Sequence, residues 1–275
     1  MTHSPSDVRR LLDEYRLRPS KALGQHFVAD PNTVRRVVRL AGVDAFSRVV
    51  EVGAGLGSLT LALAGTGAEV VAVEVDRHLV PLLRSILLEH PNVRVVQADA
   101  LEVDWEALLG EEPGWALVAN LPYNVATPLV IRILEDAPMV CSLLVMVQRE
   151  VGERLAAAPG ASAYGAVSVK VSYWATAAVV GLVPATVFVP KPSIESALVR
   201  IDRRERPAVG ESVVSYARLV EVVGAGFAHR RKMLRRSLAG VVVPEAFAAA
   251  GVAPTARAEE LDVEQWARLA GWKRA

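Results

Sequence analysis

The sequence has 275 residues, 52% of them hydrophobic and 22% charged, which excludes an extensively disordered chain and allows one large core or two small ones. A single cysteine, Cys141, excludes an intramolecular disulfide and a cysteine-based zinc site, and no metal ligand set is expected. The formal net charge is only +1, but its spread is uneven: net +3 over residues 1–36, −7 over 37–120, zero over 121–199 and +5 over 200–275.

The stretch from Met1 to Tyr15 is polar and charged, so no signal peptide is expected. Apolar runs such as Val140 to Val147 and Thr176 to Val189 are too short, or too broken by Gly and Pro, to span a bilayer. A cytoplasmic chain without a membrane partner is the expectation. Residues 1–30 read as a basic N-terminal segment. From there to about residue 204, short Val- and Leu-rich runs alternate with helical patterns. Strands are predicted over Arg48–Val52, Glu69–Val75, Val93–Gln97, Ala116–Ala119 and Val140–Gln148. Helices are predicted over Ser58–Gly65, Arg77–His90, Pro128–Asp136, Val151–Ala158 and Ala163–Tyr173. Ala177–Val183 and Ser196–Asp202 suit an antiparallel closing hairpin. The alternation predicts a doubly wound, mostly parallel α/β sheet over residues 31–204. Residues 205–275 show four helical patterns, Val213–Gly224, Arg230–Leu238, Pro244–Ala250 and Val263–Leu269, and no strand-like run, which predicts a small all-helical domain.

Three strand ends carry a ligand signal. Glu51-Val52-Gly53-Ala54-Gly55-Leu56-Gly57 follows a strand and opens a helix, where Gly53 and Gly55 let the backbone turn tightly against a ligand. The spacing is not the dinucleotide G-x-G-x-x-G. Glu74 ends the second strand, where a carboxylate suits ribose hydroxyls. Asp99 follows the third and suits an adenine amine, although such an acid also serves as a helix cap. Together they indicate an adenosine-containing ligand. No basic residue lies near the loop to hold a pyrophosphate, which favours S-adenosylmethionine over NAD.

The fourth strand ends in Asn120-Leu121-Pro122-Tyr123. The exocyclic amine of adenine is a poor nucleophile because its lone pair is delocalised into the ring. The Asn120–Tyr123 run resembles the Asn-x-Pro-Tyr motif of amino-methyltransferases, which implies that the Asn120 side-chain carbonyl and the Leu121 backbone carbonyl supply two acceptors for that amine's N–H groups, that Pro122 fixes the turn, and that Tyr123 offers a stacking face.

These residues resemble the small-subunit rRNA adenine dimethyltransferase family. The resemblance is carried by Lys21-Ala22-Leu23-Gly24-Gln25-His26-Phe27, the Glu51–Gly57 loop, Asn120-Leu121-Pro122-Tyr123-Asn124, Tyr164–Ser168, Phe188–Ser196 and the cluster Arg230-Arg231-Lys232 with Arg235-Arg236. It implies a class I S-adenosylmethionine-dependent methyltransferase fold with a helical C-terminal domain. It implies that His26, Val28, Gly53, Glu74, Asp99 and Asn120 line the cofactor pocket. It also implies that Asn120, Leu121, Tyr123 and Phe188 hold the target base. Two positions depart from the common pattern: His26 stands where Asn is frequent, and Val28 where Leu is usual. The implied reaction is dimethylation of two adjacent adenosines in a hairpin loop near the 3′ end of 16S rRNA, in the small ribosomal subunit or its precursor. The basic ends, above all Arg230, Arg231, Lys232, Arg235 and Arg236, are expected to grip phosphates, so that residues 31–204 form the catalytic domain and 205–275 an rRNA-binding one. With a helix over Arg230–Leu238, Arg231 and Arg235 share one face, as do Lys232 and Arg236. Nothing demands more than a monomer. The neighbouring family, large-subunit rRNA adenine methyltransferases, shares the Asn-x-Pro-Tyr logic.

Overall fold

A computed structural model describes residues 2–20, 22–229 and 232–272. The chain opens with helix α1 (Pro5–Glu14), the short strand β1 (Phe27–Val28) and helix α2 (Pro31–Ala41). Strand and helix then alternate: β2 (Arg48–Val52), α3 (Ser58–Ala64), β3 (Glu69–Glu74), α4 (Val80–Ile86), β4 (Val93–Gln97), α5 (Trp105–Leu109), β5 (Trp115–Asn120), α6 (Ala126–Asp136) and β6 (Val140–Gln148). Helices α7 (Arg149–Leu155) and α8 (Ala166–Trp174) lead to β7 (Ala175–Val183), β8 (Phe188–Val189) and β9 (Ser196–Arg203). The last part is helical: α9 (Tyr216–Ala228), α10 (Leu234–Ser237), α11 (Pro244–Ala250) and α12 (Val263–Gly271).

Seven strands form one sheet in the order β4-β3-β2-β5-β6-β9-β7. The pairs β2/β3, β3/β4, β2/β5 and β5/β6 are parallel, and β6/β9 is antiparallel. This is the doubly wound, mostly parallel sheet of the class I methyltransferase fold. The chain order reverses at β2, so the crevice for a ligand lies at the carboxyl ends of β2, β3 and β5. The central strands have buried residues on both faces, such as Val49 and Val50 at 0% exposure, which is why they read as continuous apolar runs.

Two compact units divide the chain: Met1–Gly152 with Ala178–Asp202, and Glu153–Ala177 with Arg203–Ala275. The expected boundary near residue 204 therefore leaves out a piece, because Glu153–Ala177 clusters with the C-terminal residues. The reason is visible in the second unit's core. Tyr164, Val169 and Tyr173 pack with Leu219, Val223 and Trp266 in one apolar cluster. The Tyr164 hydroxyl donates to Leu261 O at 2.8 Å. Gly226 is required there, since a Cβ would collide with the Trp266 ring.

Helix α1 lies where only a basic segment was expected, and α2 opens the expected α/β region ahead of its first predicted strand; both have clear local causes. Ser4 accepts from the Asp7 N–H, Asp7 returns the bond to the Ser4 N–H, and Pro5 starts α1. Asp30 accepts from the Thr33 N–H at 2.8 Å, Pro31 starts α2, and Gly42 ends it at φ 69°.

Candidate active site

The crevice at the sheet's carboxyl edge is a cleft of about 1160 Å³, its open mouth included. Its floor is the glycine loop. Gly53, Gly55 and Gly57 all have left-handed backbones, with φ of 75°, 57° and 79°. At Gly55 a Cβ would press on the Phe27 ring at 3.1 Å, so the loop fits only with glycine there. The Gly53 N–H is tied to Val73 O at 2.8 Å, which anchors the turn to β3.

The acids behave differently from one another. Glu74 is 4% exposed and accepts from the Gly55 N–H at 2.7 Å and from the Asp76 N–H at 2.9 Å. Burial raises its pKa in spite of those two donors. Glu51 is 2% exposed, and burial pushes its carboxyl up to about 8, against the opposing influence of the Thr60 hydroxyl and with the Glu74 charge adding to the rise. Its Oε2 has no hydrogen-bond partner, nor has the buried Ser58 hydroxyl beside it in the cleft wall. Asp99 is exposed and accepts from the Leu101 N–H at 2.8 Å, so it does stabilise a turn while lining the cleft. The carboxyl groups lining the cleft are those of Glu51, Glu74 and Asp99, of which burial keeps Glu51 protonated near neutral pH; the described lining contains no lysine or arginine.

Across the cleft stands the Asn120–Tyr123 turn. Asn120 donates its Nδ2–H to His26 O at 2.9 Å, which leaves its side-chain carbonyl as an open acceptor. Leu121 is 1% exposed, and its N–H is held by Met146 O at 3.0 Å. Pro122 O accepts from the Val125 and Ala126 N–H groups and so launches α6. Tyr123 stacks on the His26 ring, with centroids 5.3 Å apart and planes at 27°, and its hydroxyl meets Ser196 Oγ at 3.1 Å. His26 in turn donates from Nδ1 to Pro190 O at 2.8 Å.

Of the cofactor-pocket candidates, His26, Val28, Gly53, Gly55, Glu74, Asp99 and Asn120 all line this one cleft, as do Leu121, Pro122 and Tyr123. Phe188 does not line it. Its side chain is 2% exposed and packs with Val28, Val34, Val183 and Leu198, because β8 pairs with β1 and turns the ring into the core. Arg230 and Arg231 lie outside the described residues. Lys232, Arg235 and Arg236 are exposed, and among the described residues of the expected helix Arg230–Leu238 only Leu234–Ser237 is helical. Met233 is extended, and the Leu234 and Arg235 N–H groups bond Ala256 O at 2.8 Å and Pro254 O at 3.1 Å. Those partners end the helix on its N-terminal side, so Lys232 and Arg236 do not share a helical face.

Three contributors were missed in the sequence. Glu51 was read as part of the loop, not as a buried acid. Gln25 bridges the Ser20 N–H, at 2.8 Å, and Asp76 Oδ2, at 2.9 Å, and so ties the Leu23–Val28 segment to the end of β3. Helix α1 packs Val8, Leu11 and Leu12 against Phe27 and Leu56, while His3 Nε2 donates to Leu56 O at 2.8 Å. The Ser4–Asp7 spacing was the available signal for α1. Among the described residues no group of three or more His, Cys, Asp or Glu is placed to hold a metal ion, and no helix is long and apolar enough to cross a membrane.

Comparison with known proteins follows the same lines. Residues 17–274 match the family described as ribosomal RNA adenine dimethylase. The ribosomal RNA small subunit methyltransferase A of Cutibacterium acnes is 49% identical over 278 residues, covering 97% of this chain and 92% of that protein. Its namesake from Nocardia farcinica is 47% identical over 276 residues, covering 97% and 94%. Among solved structures, a dimethyladenosine transferase from Plasmodium falciparum superposes with a TM-score of 0.75 at 20% identity, covering 89% of this chain and 96% of that one. The 23S rRNA methyltransferase ErmE gives a TM-score of 0.69 at 28% identity, covering 89% and 98%.

Proposed function

The chain belongs to the ribosomal RNA adenine dimethylase family, and from that premise we propose which adenosines it modifies and how. It is an rRNA adenine dimethyltransferase. The proposed target is a pair of adjacent adenosines in a hairpin loop near the 3′ end of 16S rRNA, converted to N6,N6-dimethyladenosine during small-subunit assembly in the cytoplasm. The protein acts as a monomer on the small subunit or its precursor. One observation carries the assignment of chemistry: a cleft lined by three carboxyl groups and by no described lysine or arginine faces an asparagine with a free carbonyl, across the carboxyl edge of the sheet.

That lining suits a cationic cofactor and repels a pyrophosphate. S-adenosylmethionine, when bound, supplies an electrophilic methyl group on a sulfonium. The residues present fit it. Glu51 Oε2, buried without a partner, suits the amino-acid ammonium, whose positive charge would draw the proton off the carboxyl. Glu74 is placed to accept from ribose hydroxyls in exchange for, or beside, the Gly55 N–H. The open oxygen of Asp99 suits an adenine amine. Gly53 and Gly55 leave room for close approach of the ligand.

The target base must leave its stack, and a loop adenosine does so at the least cost. Asn120 Oδ1 and the Leu121 carbonyl then accept the two N6–H groups. This holds the amine and favours its pyramidal, nucleophilic form. The His26 backbone fixes the Asn120 amide, and the His26 ring supports Tyr123, so both contacts are set before the base arrives. The proton is lost from nitrogen after transfer, so no strong base is needed. Phosphates flanking the loop are held by the exposed Lys232, Arg235 and Arg236, with Arg230 and Arg231 beside them in sequence.

Incubation with undermethylated small subunits, large subunits and naked rRNA, followed by mapping of modified adenosines, tests this. Dimethylation confined to the 3′-end hairpin of small-subunit RNA is expected. The likeness to ErmE makes large-subunit RNA the second reading. Modification of large-subunit RNA instead would replace the first with it.

A further inference from the structure

Helix α2 carries three arginines in eleven residues: Arg35, Arg36 and Arg39. Its inward face is Thr33, Val34 and Val37, which are buried. Arg35 and Arg39 are exposed, one turn apart on the outward face. Arg35 donates to Asn32 Oδ1 at 2.7 Å and Arg36 to Leu182 O at 3.0 Å. Among the described residues none of the three has a carboxylate within ion-pairing distance. Like charges one turn apart weaken a helix. Arg39 complements the dipole at the helix end, whereas Arg35 sits in the first turns, where its charge helps only to hold the capping Asp30 ionised.

The connection after α2 adds an unusual aromatic. Phe46 is 96% exposed. Its position is fixed: the Phe46 N–H donates to Asp44 Oδ1 at 3.0 Å, the Ser47 hydroxyl donates to the same oxygen at 2.8 Å, and the Asp44 N–H donates to Ser47 Oγ at 3.0 Å. A phenyl ring held in water on a closed turn lacks any packing role within the chain. The topology makes stripe and ring one path. Helix α2 starts just after Val28 in the cleft wall and ends before β2, at the amino edge of the sheet. It covers about 16 Å between them.

We infer that α2 and the turn after it form a second RNA-contact surface, with Arg35 and Arg39 on phosphates and Phe46 stacked on an unpaired base. Cations with no carboxylate at ion-pairing distance suit a polyanion, and an exposed ring in the turn that follows their helix suits a base. The carboxylates of Asp30 and Asp44 are occupied in capping and in the turn. The inference rests on rRNA being the substrate. It names a contact in the first unit, separate from the Lys232–Arg236 cluster.

The test uses the full chain and an unmethylated transcript of small-subunit rRNA, titrated from about 50 to 200 mM salt. Arg35→Glu with Arg39→Glu should lower the slope of log affinity against log salt by about 1.4–1.8, two phosphate contacts' worth. Phe46→Ala should weaken binding by about 5- to 150-fold and leave the slope unchanged. Cofactor affinity should stay at its wild-type value in both, which certifies the fold. Wild-type affinity and slope in either variant would overturn the inference. So would a loss seen only with assembled subunits and not with the transcript, because the surface would then meet protein. If the wild-type chain methylates no small-subunit adenosine, the reading of the cleft fails, while these titrations still decide the surface.

Discussion

Glu51 and Glu74 are 2% and 4% exposed, whereas Arg235 and Arg236 stand in solvent, and the two kinds of ionisable group work over different ranges. In the cleft each polar group is wired to a named partner or left pointedly without one. Glu74 holds the Gly55 N–H, Asn120 holds His26 O, and Glu51 Oε2 holds nothing. Low dielectric makes every one of those contacts strong and position-specific. The exposed arginines act through a field that salt screens, so their contributions are small singly and add up across the surface. Losses in the cleft should therefore be large and confined to one step, and losses on the surface modest and salt-dependent.

The largest effect should come from the cleft. Asn120→Ala is expected to lower the methyl-transfer rate by about 10²–10³-fold or more, the scale of removing one preorganised hydrogen-bonding group. Circular dichroism should show an intact fold. Turnover close to wild type would remove Asn120 as the acceptor for the amine.

Next is Glu74→Ala. It loses a charged acceptor and frees the Gly55 N–H, so the cofactor dissociation constant should rise by about 10- to 150-fold. Calorimetry would measure that, with RNA affinity as the control. A change in RNA affinity alone would break the division between cleft and surface.

Glu51 makes the comparison a matter of pH. Its carboxyl lies near 8 in the folded protein against an ordinary 4.5. Between those values the folded state keeps a proton that the unfolded state has lost. Stability therefore falls as pH rises through this window, by at most about 1.4 kcal/mol per unit, and levels off above it. Glu51→Gln should flatten the fall and raise the melting temperature at pH 8, while weakening cofactor binding. Melting curves that shift with pH just as the wild type's do would mean that Glu51 does not stay protonated.

The smallest effect belongs to the surface. Arg235→Glu with Arg236→Glu should lower the salt slope of RNA binding by about 1.4–1.8 and leave cofactor affinity unchanged. A salt slope equal to wild type would make these arginines a solvated face only.

Much of the fold was legible because its causes are local. Arg48–Val52, Val93–Gln97, Val140–Gln148 and Pro244–Ala250 occur as expected from periodicity and flanking turns. The strand ends carrying Glu51, Glu74, Asp99 and Asn120 do meet at one cleft, since parallel strands of similar length bring their carboxyl ends together. Helices α1 and α2 have equally local signals, Ser4-Pro5 with Asp7 and Asp30-Pro31 with Gly42. The short α10 was not legible. Its start depends on the Pro254 and Ala256 carbonyls, which lie far along the chain.

The sequence by itself determined the alternating sheet, the glycine loop, the Asn120–Tyr123 turn and the separation of acidic middle from basic ends. Spacing, residue size and charge act over a few neighbours and need no knowledge of the rest. Only the tertiary structure decided which groups lose water. Antiparallel pairing of Phe27 with Val189 and Val28 with Phe188 sends the Phe188 ring into the core and sets His26 over Tyr123. Packing around β2 buries Glu51 and leaves its oxygen unpaired. Burial depends on residues distant in the chain, and burial is what turns a carboxylate or a ring at a given position into a ligand contact or a piece of core.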